Sequence, residues 1–278
     1  MRISPATIVL LALSSPAAAQ PGLAGPPMPP PPPPPGPGPV EEVPPADGAS
    51  MQLRAGAGIG RYTESGQGFS FNSDLQPFLI VGGEGVFPAG GGHMVLQASA
   101  GFGTDVHMEA KQNGMVFQEN RFHQQVFEAS PRYRWTLNPR VRFEAGYRLT
   151  MQRLFFTDIP MLGDALETVT VHAVEAGIGW QRRYPDASRL AVDFVIGLNR
   201  GFAENDRIQG EDFSAGGASF NARVQKRWAN GLGVETQLAY RKQDGSEVQD
   251  VEFDGMPTMA FWPDNVTWQL LIVTGFAI

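Results

Sequence analysis

From Val141 to Gln152 the chain alternates without a slip. Val141, Phe143, Ala145, Tyr147, Leu149 and Met151 take one parity, and Arg142, Glu144, Gly146, Arg148, Thr150 and Gln152 the other. A period of two marks an extended strand with one apolar and one polar face. The same alternation returns at Met94–Gly103, Leu190–Asn199 and Val266–Phe276. From Met51 onward it predicts ten strands, over 51–62, 75–87, 93–111, 115–135, 141–156, 166–184, 189–204, 217–229, 233–243 and 262–278, with no helical period. Pro131 in the fourth requires a bulge or an unpaired position. Pro77, beside Phe78-Leu79-Ile80-Val81, leaves the facing of the second open.

The connections carry a second pattern. Every other one is a short stretch of turn chemistry (PAGGG, TLNPR, YPDAS, ANGLG), whereas most of the rest are longer and acidic, as in TESGQGFSFNSD and the runs 205–216 and 243–261. The exception is an Asn113-Gly114 hairpin between strands long enough to project it beyond the sheet. Soluble strands peak at about 5–6 residues, and a tilted membrane strand needs about 9–11. Nearly all ten segments reach the second figure. Trp135, Trp180 and Trp228 each lie on the apolar parity just before a short turn, with Phe87, Tyr133 and Tyr184 close by. Amphipathic rings at one level form a girdle at a membrane interface. Short turns at one end, long loops at the other and a girdle together turn the apolar parity outward to lipid and the arginines inward.

In these features residues 51–278 resemble the outer-membrane β-barrel proteins of Gram-negative bacteria. The resemblance implies an all-β fold, a ten-stranded antiparallel up-and-down transmembrane barrel, placed in the cell outer membrane. That class usually ends on an aromatic residue that the assembly machinery recognises. This chain ends Phe276-Ala277-Ile278, so the alternation matches and the last residue departs. Closure satisfies every backbone donor and acceptor and leaves no edge.

The N-terminus changes the picture. Arg2, the apolar run Ile8–Leu13 and Ala17-Ala18-Ala19 read as a secretory signal peptide over 1–19, cleaved after Ala19. Residues 20–50 hold 14 of the 24 prolines and read as a disordered, extended leader. No run of apolar residues is long enough for a membrane-spanning helix. The net charge of −7 gives a nucleic-acid partner little support, and the absence of cysteine removes disulfides and thiol-linked lipids.

The inward parity collects Arg54, Arg132, Arg134, Arg142, Arg148, Arg223, Arg227 and Arg241 against Glu84, Glu128, Glu144, Glu175, Asp193 and Glu235. In a narrow barrel these opposed charges should pair, because an unpaired buried charge costs several kcal/mol. The glycines on that parity, Gly146 and Gly179 among them, would make room for long arginines. The expectation is a salt-bridged lumen in a non-enzymatic protein with an envelope-structural or surface-interaction role. The alternative is a narrow, porin-like passive channel for small solutes, in which arginine rings favour anions. Lys226, on the lipid parity beside Trp228, should snorkel to the interface.

Catalytic chemistry has one foothold. Asp105 and His107 take one lumen-facing parity near the outer rim, where a carboxylate can orient an imidazole as a base. This resembles the omptin proteases, whose rim carries an Asp-x-His pair. The earlier Asp-x-Asp pair of that family is missing, and the later acidic alternation Asp250–Asp254 departs in order and type. His93 lies at a turn, His123 and His172 have no serine partner, four scattered histidines offer no metal-ligand spacing, and no cofactor is implied. The acidic loops follow no calcium-loop pattern. Partners implied by the class are lipopolysaccharide, periplasmic chaperones and the barrel-assembly machinery.

Overall fold

The computed structural model describes residues 48–159, 163–209, 213–253 and 255–277. The signal peptide over 1–19 and all of the leader up to residue 47 lie outside the described residues. The described chain is strand throughout. It begins with β1 (Ser50–Gly66), β2 (Phe69–Ser73), β3 (Gln76–Ala89), β4 (Gly92–Gly103) and β5 (Val106–Gln112). The long strands β6 (Met115–Asn138), β7 (Val141–Ile159), β8 (Gly163–Arg183) and β9 (Arg189–Asn205) follow. After these come β10 (Ile208–Gln209), β11 (Phe213–Arg227), β12 (Leu232–Gln243), β13 (Gln249–Phe253), β14 (Met256–Ala260) and β15 (Asp264–Ala277).

Strand pairing is antiparallel, and the sheet returns on itself. β15 pairs with β12 on one side and with β1 on the other, from Gln52 opposite Ala277 to Ser65 opposite Asp264. The result is a closed ring of about ten strands, in which β2 and β5 carry the line of β3 and β4 onward between β1 and β6. A small sheet, β10-β13-β14, stands apart at the long-loop end.

Two details differ from the sequence pattern. The segment expected as one strand over 93–111 breaks at Thr104–Asp105, where Thr104 N–H donates to Pro77 O at 3.0 Å and Asp74 N–H to His107 O at 2.9 Å. The break reverses parity: Val95 and Gly101 face inward from β4, whereas Met108 and Ala110 do so from β5. Stretches expected as loops also hold short strands, β2, β10, β13 and β14. Pro131 pairs opposite Leu96 on β4 but drops out of the β6–β7 ladder, whose register is the same on either side. It is therefore an unpaired position and not a bulge.

The outer face carries a continuous apolar band in the half of the ring nearer the short turns. Leu79, Leu96, Leu149, Val174, Ile196, Leu198 and Ile272 are among its exposed members, Leu198 at 77%. The inner face at this level is polar. Toward the long loops the polarity inverts. Inside, Tyr62, Met108, Phe122, Leu154, Val169, Val171, Ala203, Phe213 and Trp262 form one buried cluster. Outside at that height stand Arg61, His107, Glu109, Arg121, His123, Arg153, Arg200 and Lys242.

Candidate functional site

The interior of the ring is where the charged residues converge, and register decides which of them meet. Arg132 and Arg134 lie on β6, the strand beside Glu144 on β7, and Glu144 accepts from Arg132 at 3.1 Å and from Arg134 at 2.6 Å. Asp193 is shared, taking Arg142 Nη2 at 2.6 Å and Arg223 Nη2 at 3.0 Å. Arg223 also reaches Glu84 at 3.0 Å and lies 3.9 Å from Glu235, which accepts from Arg54 as well. Arg148 spans Glu175 at 2.9 Å and Glu128 at 3.5 Å. The remaining two inward arginines find amides and, among the described residues, no carboxylate: Arg227 donates to Gln52 and Arg241 to Gln152.

Glycine provides the space for part of this network. A Cβ on Gly179 would stand 2.6 Å from Arg142 Nε, and one on Gly146 2.7 Å from Arg132 Cγ. Strand proximity alone accounts for Gly56 and Gly58, where a Cβ would run into the β15 backbone. Little space remains. Interior cavities lined by described residues hold about 40 Å³ beside Glu128, Arg148 and Arg241, about 20 Å³ beside Arg132 and Asp193, and about 10 Å³ beside Arg54. A water needs roughly 10–15 Å³ on this measure, so these are chambers for a few waters.

Above the charged level the apolar cluster closes the ring, and it contains two acids that the strand pattern missed. Glu64 is buried and accepts from the Tyr62 hydroxyl. Burial pushes its carboxyl up to about 7, against the smaller opposing effect of that hydrogen bond. Glu167 is pushed well up, by burial first and by the nearby Glu64 second. Its Oε1 and the indole nitrogen of Trp262 are both shut away from solvent, and the indole beside the carboxyl opposes the rise only in small part. Each acid continues the inward parity of its strand, which is the signal that would have found them. Glu64 follows Gly60 and Tyr62, and Glu167 precedes Val169 and Val171.

The girdle residues lie on the outer face near the short turns. Trp135, Trp180 and Trp228 are 45%, 39% and 41% exposed, and Phe87 is exposed with them. Tyr133 donates to Ala89 O at 2.6 Å and packs 4.7 Å from Trp135. Tyr184 lies under two cations, with Lys226 Nζ 4.2 Å and Arg182 Cζ 5.2 Å from its ring centre.

The rim pair is a correction. The break at Thr104–Asp105 turns His107 outward, so Asp105 and His107 do not share an interior face. Asp105 Oδ1 lies 2.8 Å from His123 Nδ1 and its Oδ2 accepts from Arg121 at 3.4 Å, while His107 lies 3.6 Å from Glu119. All of these are on the outside of the ring. Among the described residues no imidazole faces the interior at the long-loop end, and no cluster of three metal-ligating side chains forms.

No protein-family model matches the sequence, and no curated protein matches it. Solved structures do. The outer membrane protease OmpT from Escherichia coli is similar over 82% of this chain and 97% of its own, at 10% identity and a TM-score of 0.57. The β domain of the Bordetella autotransporter BrkA covers 83% of this chain and 99% of its own, with 12% identity and a TM-score of 0.39. The COG4313 outer membrane channel from Pseudomonas putida F1 covers 84% and 98%, with 13% identity and a TM-score of 0.32. The first likeness is one of fold alone, and the other two scores are too low to bear on this chain. The chain has the fold of Gram-negative outer-membrane β-barrel proteins.

Proposed function

We propose that the chain is a ten-stranded transmembrane barrel of the outer membrane, non-catalytic, with a sealed interior and a structural or surface-interaction role in the cell envelope. The observation that carries this reading is the filled interior. An Arg–carboxylate level and an apolar level lie in series, with chambers of only about 40 Å³ between the side chains. The outer band supports membrane insertion. Phe127 and Trp135, Phe220 and Trp228, and Trp268 and Phe276 are aromatic pairs eight residues apart on outward parities. At ~3.3 Å per residue and a tilt of about 40° this is about 20 Å along the barrel axis, near the height of the apolar band of such barrels.

The orientation follows the class, with short turns in the periplasm and long loops outside. The signal peptide ending at Ala19 and the proline-rich leader agree with export and a periplasmic spacer. Outward cations just beyond the upper aromatics, Arg61, Arg153, Arg200 and Lys242, stand where lipopolysaccharide phosphates would lie. The assembly machinery and periplasmic chaperones are the partners this topology requires.

Planar-bilayer recording on the refolded protein tests the seal. No reproducible conductance step is expected. Steps that recur, and that change size in Arg148→Ala, would replace this reading with that of a narrow channel. Peptide cleavage by intact cells, compared with His107→Ala, tests the absence of catalysis; activity lost in that variant would restore a rim protease.

A further inference from the structure

One row of the interior is uniformly basic. Arg183, Arg189 and Arg227 stand directly opposite one another on β8, β9 and β11, at the last register positions before the short turns. Their parity is that of Gln181, Asp193 and Gln225, so they face inward at the mouth of the ring. Like charges directly opposite across strands destabilise a sheet. Each carboxylate of the charged level is already engaged: Glu84 and Asp193 by Arg223, Glu128 and Glu175 by Arg148, Glu144 by Arg132, and Glu235 by Arg54. None lies within ion-pair distance of Arg189 or Arg227. Arg189 donates to Gln225 at 3.2 Å and Arg227 to Gln52, and the Nε of each is buried without a partner. The nearby turn carboxylate, Asp186, is exposed and bonded to Ser188 N–H at 3.0 Å.

We propose that this mouth is a binding site for a doubly charged oxyanion, a phosphate monoester or a paired carboxylate, presented from the short-turn side and held between Arg189 and Arg227. Two guanidinium groups with no carboxylate of the described residues within ion-pair distance match one dianion in charge, and guanidinium forks suit bidentate oxygen acceptors. The assignment rests on the reading above only for naming that side periplasmic. The site lies below the seal, so occupation requires no passage through the ring. On the other face of the same strands Arg182 and Lys226 flank Tyr184 toward lipid, which gives a second place where an anion could be held and defines the control.

The test is thermal unfolding of the full chain in phosphatidylcholine vesicles and, in parallel, in detergent micelles. Inorganic phosphate and succinate are compared with chloride and acetate at matched ionic strength. Phosphate and succinate should raise the melting midpoint by several degrees, since a ligand of the folded state alone stabilises it by mass action. Arg189→Gln/Arg227→Gln should abolish the rise and melt no lower than the parent in chloride, because a repulsion has been removed. Arg189→Lys/Arg227→Lys should keep part of it. No rise in the parent, or a rise that survives the double glutamine variant, overturns the site. So does a rise that needs phosphatidylglycerol and disappears in Arg182→Gln/Lys226→Gln, which would place the anion on a lipid headgroup outside. Flotation of the same vesicle samples reports insertion separately, so a failure of the membrane reading shows there and leaves the micelle titration to judge the site.

Discussion

The two levels of the ring are built from the same strands with opposite polarity. On β6, Arg132 and Arg134 point inward with Trp135 outward, while twelve positions earlier Phe122 points inward with Arg121 and His123 outward. On β8, Glu175 is inside and Val174 is 70% exposed, whereas Val169 is inside and Thr168 faces out. The switch falls at the upper aromatics. A strand has two faces, and the one turned to the surroundings takes their polarity; the other receives what is left. Against lipid the remainder is charge, which must pair. Against water the remainder is apolar, and it packs as an ordinary core. Specific ion pairs hold the lower level together, and shape and dryness hold the upper.

Perturbations of each level sharpen that contrast. The largest effect is expected from Asp193→Ala, which removes the carboxylate that Arg142 and Arg223 share, leaves Arg142 only a 3.8 Å approach to Glu144, and should cost about 3–5 kcal/mol, read from guanidinium unfolding in vesicles. A loss below about 1 kcal/mol would mean that the lower level is hydrated and not paired. Gly201→Ala comes next. Its Cβ would stand 2.8 Å from the Trp262 ring, and overpacking of this kind costs about 1–3 kcal/mol. Unlike the first loss, it should not depend on salt.

The pH response separates the levels further. Glu64 keeps its proton to about pH 7 in the folded chain, while an ordinary glutamate loses it near 4.5. Between those values the unfolded chain binds fewer protons, so the Glu64 contribution to stability falls as pH rises through the window and levels off above about 7, with the raised Glu167 adding a decline of the same sign. Glu64→Gln should flatten the decline between pH 4.5 and 8, read as the melting midpoint; an unchanged slope would move the acid out of the dry core. Lys242→Gln is the smallest. It removes an exposed pair with Asp244, 2.9 Å apart, and should leave the midpoint within error.

Much of this was legible in the alternation. Parity alone turns Arg132, Arg142 and Arg223 inward and Trp180 and Trp228 outward, because side-chain direction in a strand is fixed by counting. Counting fails where the backbone slips, and Gly103 before the slip at Thr104–Asp105 is one of many strand glycines and does not single it out, so counting carries Asp105 and His107 inside. Parity also says nothing of partners. That Asp193 serves two arginines while Arg227, among the described residues, donates to Gln52 depends on register across three strands. Glu64 and Glu167 were missed for another reason: they lie where the inward face becomes apolar, and a pattern anchored on a polar interior ends there.

The seam between Ser50–Gly66 and Asp264–Ala277 joins segments about two hundred residues apart along the chain. Closing so large a loop costs only logarithmically more than closing a small one, but nothing rewards the cost until both partners are present. A chain halted before Asp264 would hold an open sheet with two bare flanks, ready to pair with any neighbour. Completion is thus all or none for this polypeptide, and its last strand is also its lock.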